Sequence, residues 1–195
     1  MLSSILLLVI TSHICSIPFG VIYAKVYCNI DIPKEGSKNI GATNIARVCG
    51  KQWGLLTLCS DIAKGSLPVL YSSYAGYSSV FISLIAIVAV LSHAYSPFLH
   101  FKGGKSVATT IGIWIILAPV PLLWAVTICI FTIWRSRYVS AGSLSLVLSL
   151  PILLLFFREY KFVPLALFLL IFIFIRHKDN IERITNGTEN KWNRT

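Results

Sequence analysis

Apolar runs approaching the length of a bilayer crossing recur along almost all of this sequence, and that recurrence restricts the chain to few folds. A helical crossing needs about 20 mostly apolar residues. Seven such segments are read, at about 2–24, 53–71, 76–94, 106–119, 121–135, 139–157 and 161–175. With 56% hydrophobic and only 12% charged residues, the chain falls well below the roughly 25% charged content of soluble domains. The expected fold is an all-α integral membrane protein of about seven transmembrane helices, with residues 1–195 forming a single polytopic domain.

Charge placement orients the segments. The first run carries no Lys or Arg before Lys25, so it lacks the positive leader of a secretory signal and reads as a retained helix with its N-terminus outside. Seven crossings then place residues 25–52, 95–105, 135–138 and the tail from 176 in the cytoplasm, and these hold 14 of the 17 Lys and Arg residues. This agrees with the positive-inside tendency. Two segments leave alternatives open. Asp61 and Lys64, spaced i, i+3, imply either a tilted helix with its charges paired inward or one that enters only part way. The fourth and fifth segments, divided by Pro119 and Pro121, are two short helices or one kinked helix.

The inside-facing stretches share a composition of glycine, small hydroxyls, amides and cations: residues 36–51, 101–110, 135–143 and 176–189. Glycine lets backbone N–H groups approach a ligand, helix N-termini present unpaired N–H groups, and Lys or Arg adds charge. Four such clusters point to phosphate. No GxxxxGK[ST] pattern, Mg²⁺-type carboxylate pair or GxSxG elbow is present, which disfavours nucleotide hydrolysis and serine hydrolase chemistry. His177 and Asn180, three apart, form either a pair contacting a reacting hydroxyl or a helix-end cap. His13 reads as a hydrogen-bonded helix residue, and Cys15, Cys28, Cys49, Cys59 and Cys129 mostly as small buried hydrophobes without a CxxC pair. Arg183, Lys191 and Arg194 read as a solvated or membrane-surface tail.

GSKNIGATNIAR, residues 36–47, resembles the GSxNxGATNxxR signature of the bacterial membrane acyl-phosphate:glycerol-3-phosphate acyltransferases of the PlsY type. Asp61, Lys64 and Gly65 match the family's D-x-x-K-G element, SHAYSPFLHFKGGKSVAT its Gly-His and FKGGKGVAT signature, Arg137 to Ser143 its R-Y-V-S-x-G-S, and Arg176 to Glu189 its C-terminal element. The resemblance covers nearly the whole chain in order. It departs at Ser92, His100 and Ser106, each in place of a usual glycine, and at Ser96, where the usual proline is displaced to Pro97. Both lysines of the second signature are kept.

The resemblance implies transfer of a fatty acyl group from acyl phosphate to the sn-1 hydroxyl of glycerol 3-phosphate, forming lysophosphatidic acid and phosphate at the inner face of the bacterial cytoplasmic membrane. Expected partners are these two substrates and membrane lipid, with no nucleic acid, cofactor or metal. By analogy, Ser37, Asn39, Gly41, Thr43, Asn44 and Ser143 handle the acyl-phosphate phosphate, with Arg137, Ser140 and Gly142 in the same third signature. Arg47, Lys105 and Lys102, beside Gly103 and Gly104, hold the phosphate of glycerol 3-phosphate. Ser37, His177 and Asn180 orient the attacking hydroxyl. Asn39 and Asn44 have a second reading, in which they shape the loop by bonding its backbone. A transporter of organic phosphate or lipid headgroups is the rival class, although charges at one face rather than the bilayer midplane favour an interfacial enzyme.

Overall fold

The computed structural model describes residues 2–192, and these are helical with no strand. They divide into two compact units, parted between Ile116 and Leu117.

In the first unit the opening apolar segment is not one helix. It forms α1 (Leu2–Ser16) and α2 (Phe19–Cys28), because Pro18 lacks an N–H and disfavours helical geometry at the residue before it. A break inside lipid exposes carbonyls that water cannot satisfy. Here two side chains from later in the chain take them: Ser96 Oγ donates to Ser16 O at 2.6 Å, and Lys64 Nζ donates to Ile17 O at 2.8 Å. A loop then leads to α3 (Ala42–Cys49), followed after Gly50 by α4 (Lys51–Tyr74), α5 (Ser79–Ala94) and α6 (Val107–Leu117). Ala24, Ile32, Ile40 and Ile45 form a small core that ties α2, the loop and α3 together.

Helix α4 resolves the question of its charges. Asp61 and Lys64 are both buried and paired, with Lys64 Nζ 2.8 Å from Asp61 Oδ1. Gly65 and Gly112 give α4 and α6 the room to pack backbone to backbone, for a Cβ at Gly65 would overlap Thr109 O and one at Gly112 would overlap Ile62 O.

The second unit holds α7 (Pro119–Ser136), α8 (Val139–Phe156), α9 (Val163–Arg176) and α10 (Lys178–Thr185). The fourth and fifth apolar segments are thus two helices, α6 and α7, separated at Ala118. Helix α8 packs against both α7 and α9, with Leu146, Leu150, Leu154, Leu165 and Leu169 buried. At His177 the chain bends by 61° from α9 into α10.

Among the described residues, four stretches are long and apolar enough to cross a membrane: Leu2–Cys28 across its break, Ser79–Leu99, Pro119–Ser136 and Val139–Phe156; the bent pair Tyr160–Arg176 and Lys178–Thr185 makes a fifth if it is one span. Length and composition thus support four or five of the seven expected crossings. The remaining two are α4, which Lys51, Asp61 and Lys64 make less apolar, and α6, which has only 11 residues. Exposed Leu6, Ile10, Phe131, Trp134, Phe156 and Ile171 are side chains suited to lipid contact.

Candidate active site

In the first unit the loop before α3 closes on one side chain. Asn44 Oδ1 accepts from Ser37 N at 2.9 Å, while its Nδ2 donates to Glu35 O at 3.0 Å and to Asn39 O at 2.9 Å. Asn39 Oδ1 accepts from Gly41 N at 3.0 Å, a short turn that delivers the chain into α3. Buried Asn44 therefore shapes the loop from beneath, the second of the two readings its sequence allowed. Gly36 sits at φ +57°, and a Cβ there would overlap Asn44 Oδ1, so only glycine fits. What the loop presents outward is the exposed Ser37, the half-buried Thr43 and the exposed Arg47. Thr43 and Arg47 are four apart and share a face of α3, at whose start the first backbone amides have no helical acceptor.

The second cluster of this unit is the loop between α5 and α6. Gly103 N donates to Ala94 O at 2.9 Å and Gly104 N to His93 O at 3.2 Å, so the glycines cap the C-terminus of α5. Lys102 is exposed and Lys105 half-buried.

In the second unit a carboxylate that the sequence reading did not single out organises the site. Glu189 Oε1 accepts from Ser140 Oγ at 2.7 Å and Asn180 Nδ2 at 2.6 Å, and its Oε2 pairs with Arg183 Nε at 2.7 Å. Burial pushes the Glu189 carboxyl up, but the three hydrogen bonds and the charge of Arg183 outweigh burial and hold its pKa below the ordinary 4.5. Arg183 is accordingly not the solvated tail residue expected: its guanidinium is held by Glu189, because the chain after α10 folds back toward α8. Arg194 lies outside the described residues.

His177, at the α9–α10 bend, is buried, and its Nδ1 lies 2.8 Å from Ile173 O. A carbonyl only accepts, so Nδ1 is the donor in this bond and fixes the ring against α9. His177 and Asn180 are both buried at this bend, one at the junction and one in the first turn of α10. Ser143 Oγ bonds back to Val139 O at 3.0 Å, and Gly142 lies against Ile133 and Cys129 O, where it serves helix packing. Exposed Arg137 adopts φ +64° at the end of α7, and its carbonyl accepts from Trp192 N at 2.7 Å. An open apolar groove lined by Phe174, Ile175, Lys178 and Ile181 adjoins the bend.

The residues 5–187 match the glycerol-3-phosphate acyltransferase family. The chain belongs to that family. It is 47% identical over 188 residues to the glycerol-3-phosphate acyltransferase of Lawsonia intracellularis, covering 96% of this chain and 95% of the relative. With that of Carboxydothermus hydrogenoformans it shares 44% identity over 183 residues, 90% of each chain. Two crystal structures of PlsY, an integral membrane glycerol 3-phosphate acyltransferase, are similar in fold: its glycerol 3-phosphate form at a TM-score of 0.93 and its lysophosphatidic acid form at 0.90. Each is 31% identical and covers 98% of this chain and 96% of the other. The fold is thus that of a multi-pass integral membrane protein.

Against this acyltransferase family, the departures of the second signature have a physical account. His100 and Ser106, two of the three residues in place of glycine, have φ of +49° and +62°, the left-handed region that glycine adopts without strain. Ser106 Oγ compensates by donating to Val90 O at 2.8 Å. Ser92 Oγ meets Ser12 Oγ at 3.2 Å, and Ser96 seals the α1 break. The cysteines divide more evenly than expected: Cys15 is buried, Cys28, Cys49 and Cys129 are half-buried, and Cys59 is exposed.

Proposed function

We propose that this chain transfers a fatty acyl group from acyl phosphate to the sn-1 hydroxyl of glycerol 3-phosphate, yielding lysophosphatidic acid and inorganic phosphate. It acts as one polytopic enzyme in the bacterial cytoplasmic membrane, with seven crossings, its N-terminus outside, and its C-terminus and chemistry at the cytoplasmic face. Family membership supports the reaction class, and the relatives' names and the two PlsY forms supply glycerol 3-phosphate as acceptor and lysophosphatidic acid as product.

The observation that carries the reading is the loop closed on Asn44, which leaves Ser37, Thr43, Arg47 and the start of α3 outward as a preformed anion surface. Acyl phosphate is an activated mixed anhydride, so positioning and charge stabilisation suffice without a protein nucleophile. The alcohol oxygen attacks the acyl carbon, the bond between that carbon and the bridging oxygen breaks with its electron pair on the departing phosphate, and the hydroxyl proton leaves with that phosphate. Ser37, Asn39, Gly41 and Thr43 bind the acyl-phosphate anion, with Asn44 holding their loop. Arg47, Lys102 and Lys105 bind the glycerol phosphate, the glycines at 103 and 104 keeping the lysine loop close to its helix. In the second unit, His177 and Asn180 orient the alcohol, Asn180 being held by Glu189, while Ser140 anchors that carboxylate and Ser143 and Arg137 supply polar groups at their end of α8.

Purified protein in lipid nanodiscs should release phosphate from a long-chain acyl phosphate only when glycerol 3-phosphate is present, with lysophosphatidic acid as co-product. Phosphate release indifferent to glycerol 3-phosphate, or none from folded protein, sinks the reading.

A further inference from the structure

Behind the Gly103–Lys105 loop lies a buried set of ionisable groups to which the reaction steps above assign no part. Asp61, Lys64 and His93 are each at most 4% exposed, on α4 and α5. Asp61 Oδ1 lies 2.8 Å from Lys64 Nζ and 3.8 Å from His93 Nδ1, the latter too long for a hydrogen bond but close for an electrostatic contact. Charged groups inside a membrane helix are expensive to keep, which calls for a role.

Lys64 has one already, sealing Ile17 O at the α1–α2 break. His93 has its outer edge against the loop. A Cβ at Gly104 would overlap His93 Nε2, and one at Gly103 would overlap His93 O. The carbonyls of His93 and Ala94 also take the amides of these two glycines. The loop thus rests on one imidazole from below and is tied to its backbone at the side. Beyond Lys105, Ser106 fixes the far end to Val90 O.

We propose that His93, backed by the Asp61–Lys64 pair, is a positioning residue that sets the height of the Gly103–Lys105 loop and hence the strength with which Lys105 holds the phosphate of the soluble substrate. The inference rests on the acyltransferase reading for the substrate, though not for the packing. The imidazole touches neither substrate; it acts through two glycines whose missing side chains allow the close approach.

The test compares wild type, His93→Ala and His93→Gln in nanodiscs, by acyl-transfer kinetics and by hydrogen–deuterium exchange of residues 101–106. A loop misplaced by an ångström is expected to raise KM for glycerol 3-phosphate about tenfold while kcat stays within about threefold. KM for acyl phosphate should hold, and exchange should rise in 101–106 while α5 stays protected. Gln, which keeps a polar nitrogen near the Nε2 position, should recover more than half of the KM change. Unchanged loop exchange overturns the proposal, as does faster exchange with KM unmoved, or exchange rising across α4 to α6 together with lost kcat. Should His93→Ala fail to fold, His93→Leu fills the volume without either nitrogen and carries the same measurements. If wild type transfers no acyl group, the acyltransferase reading fails by itself, and loop exchange still decides whether His93 sets the loop.

Discussion

Asn44 and Arg47 illustrate how polar residues of one short helix separate by what surrounds them. Asn44 is buried with its amide shared among three backbone groups, whereas Arg47, one turn on, is exposed on the same short helix. On the proposed reading of Arg47 as a phosphate ligand, Arg47→Ala should lower acyl transfer by about two orders of magnitude without moving the thermal midpoint. Asn44→Ala should lower both, because it removes the three hydrogen bonds that hold the loop, at a cost of about 2 kcal/mol; a normal midpoint in that variant would contradict the loop geometry. Ser106 separates two opposing terms. Its left-handed backbone costs about 1 kcal/mol, and its hydroxyl bond to Val90 O returns about 1 kcal/mol. Ser106→Gly should thus be nearly neutral in thermal unfolding, while Ser106→Ala keeps the strain, loses the bond and should be the less stable of the two. From sequence alone the clusters of glycine, amides and cations were legible, since residue type and spacing carry them. The division of labour between Asn44 and Arg47 was not, because burial decides it.

At the level of elements, the apolar segments were legible wherever length and hydropathy spoke together, as in α5, α7 and α8. Helices α3 and α10 have eight residues each, too short for periodicity to stand out, and both lie in the polar clusters. The clamp between α8, α10 and the following segment was equally hidden, for Ser140 and Glu189 are 49 residues apart. Glu189 makes that clamp pH-dependent. Its folded pKa lies below the ordinary 4.5, so the stabilisation is fully present above that value and is lost as pH falls through the lowered pKa. Wild type should be more stable than Glu189→Gln at pH 7, and the gap between their thermal midpoints should close as pH drops below 4.5; a constant gap would mean that the carboxylate's charge contributes nothing. In α4, Lys64→Met strands buried Asp61 and should destabilise by about 3 kcal/mol or more, with Asp61→Leu added to it recovering part.

For the whole molecule, the prediction is orientation: a C-terminal tag should be cleaved by added protease in inverted membrane vesicles and protected in right-side-out ones. Protection in inverted vesicles would reverse the assigned sides. The charge asymmetry that motivates this prediction can be counted in the sequence, because Lys and Arg tend to remain on the cytoplasmic side. The break at Ile17–Pro18 has a consequence in time as well as in space. The chain is made from its N-terminus, so α1 and α2 enter the membrane while the partners of Ser16 O and Ile17 O, 80 and 47 residues downstream, have yet to be synthesised. The α1–α2 span is thus completed only once α4 and α5 have been made, and until Ser96 emerges from the ribosome its open carbonyls must be sheltered by the insertion machinery or by water.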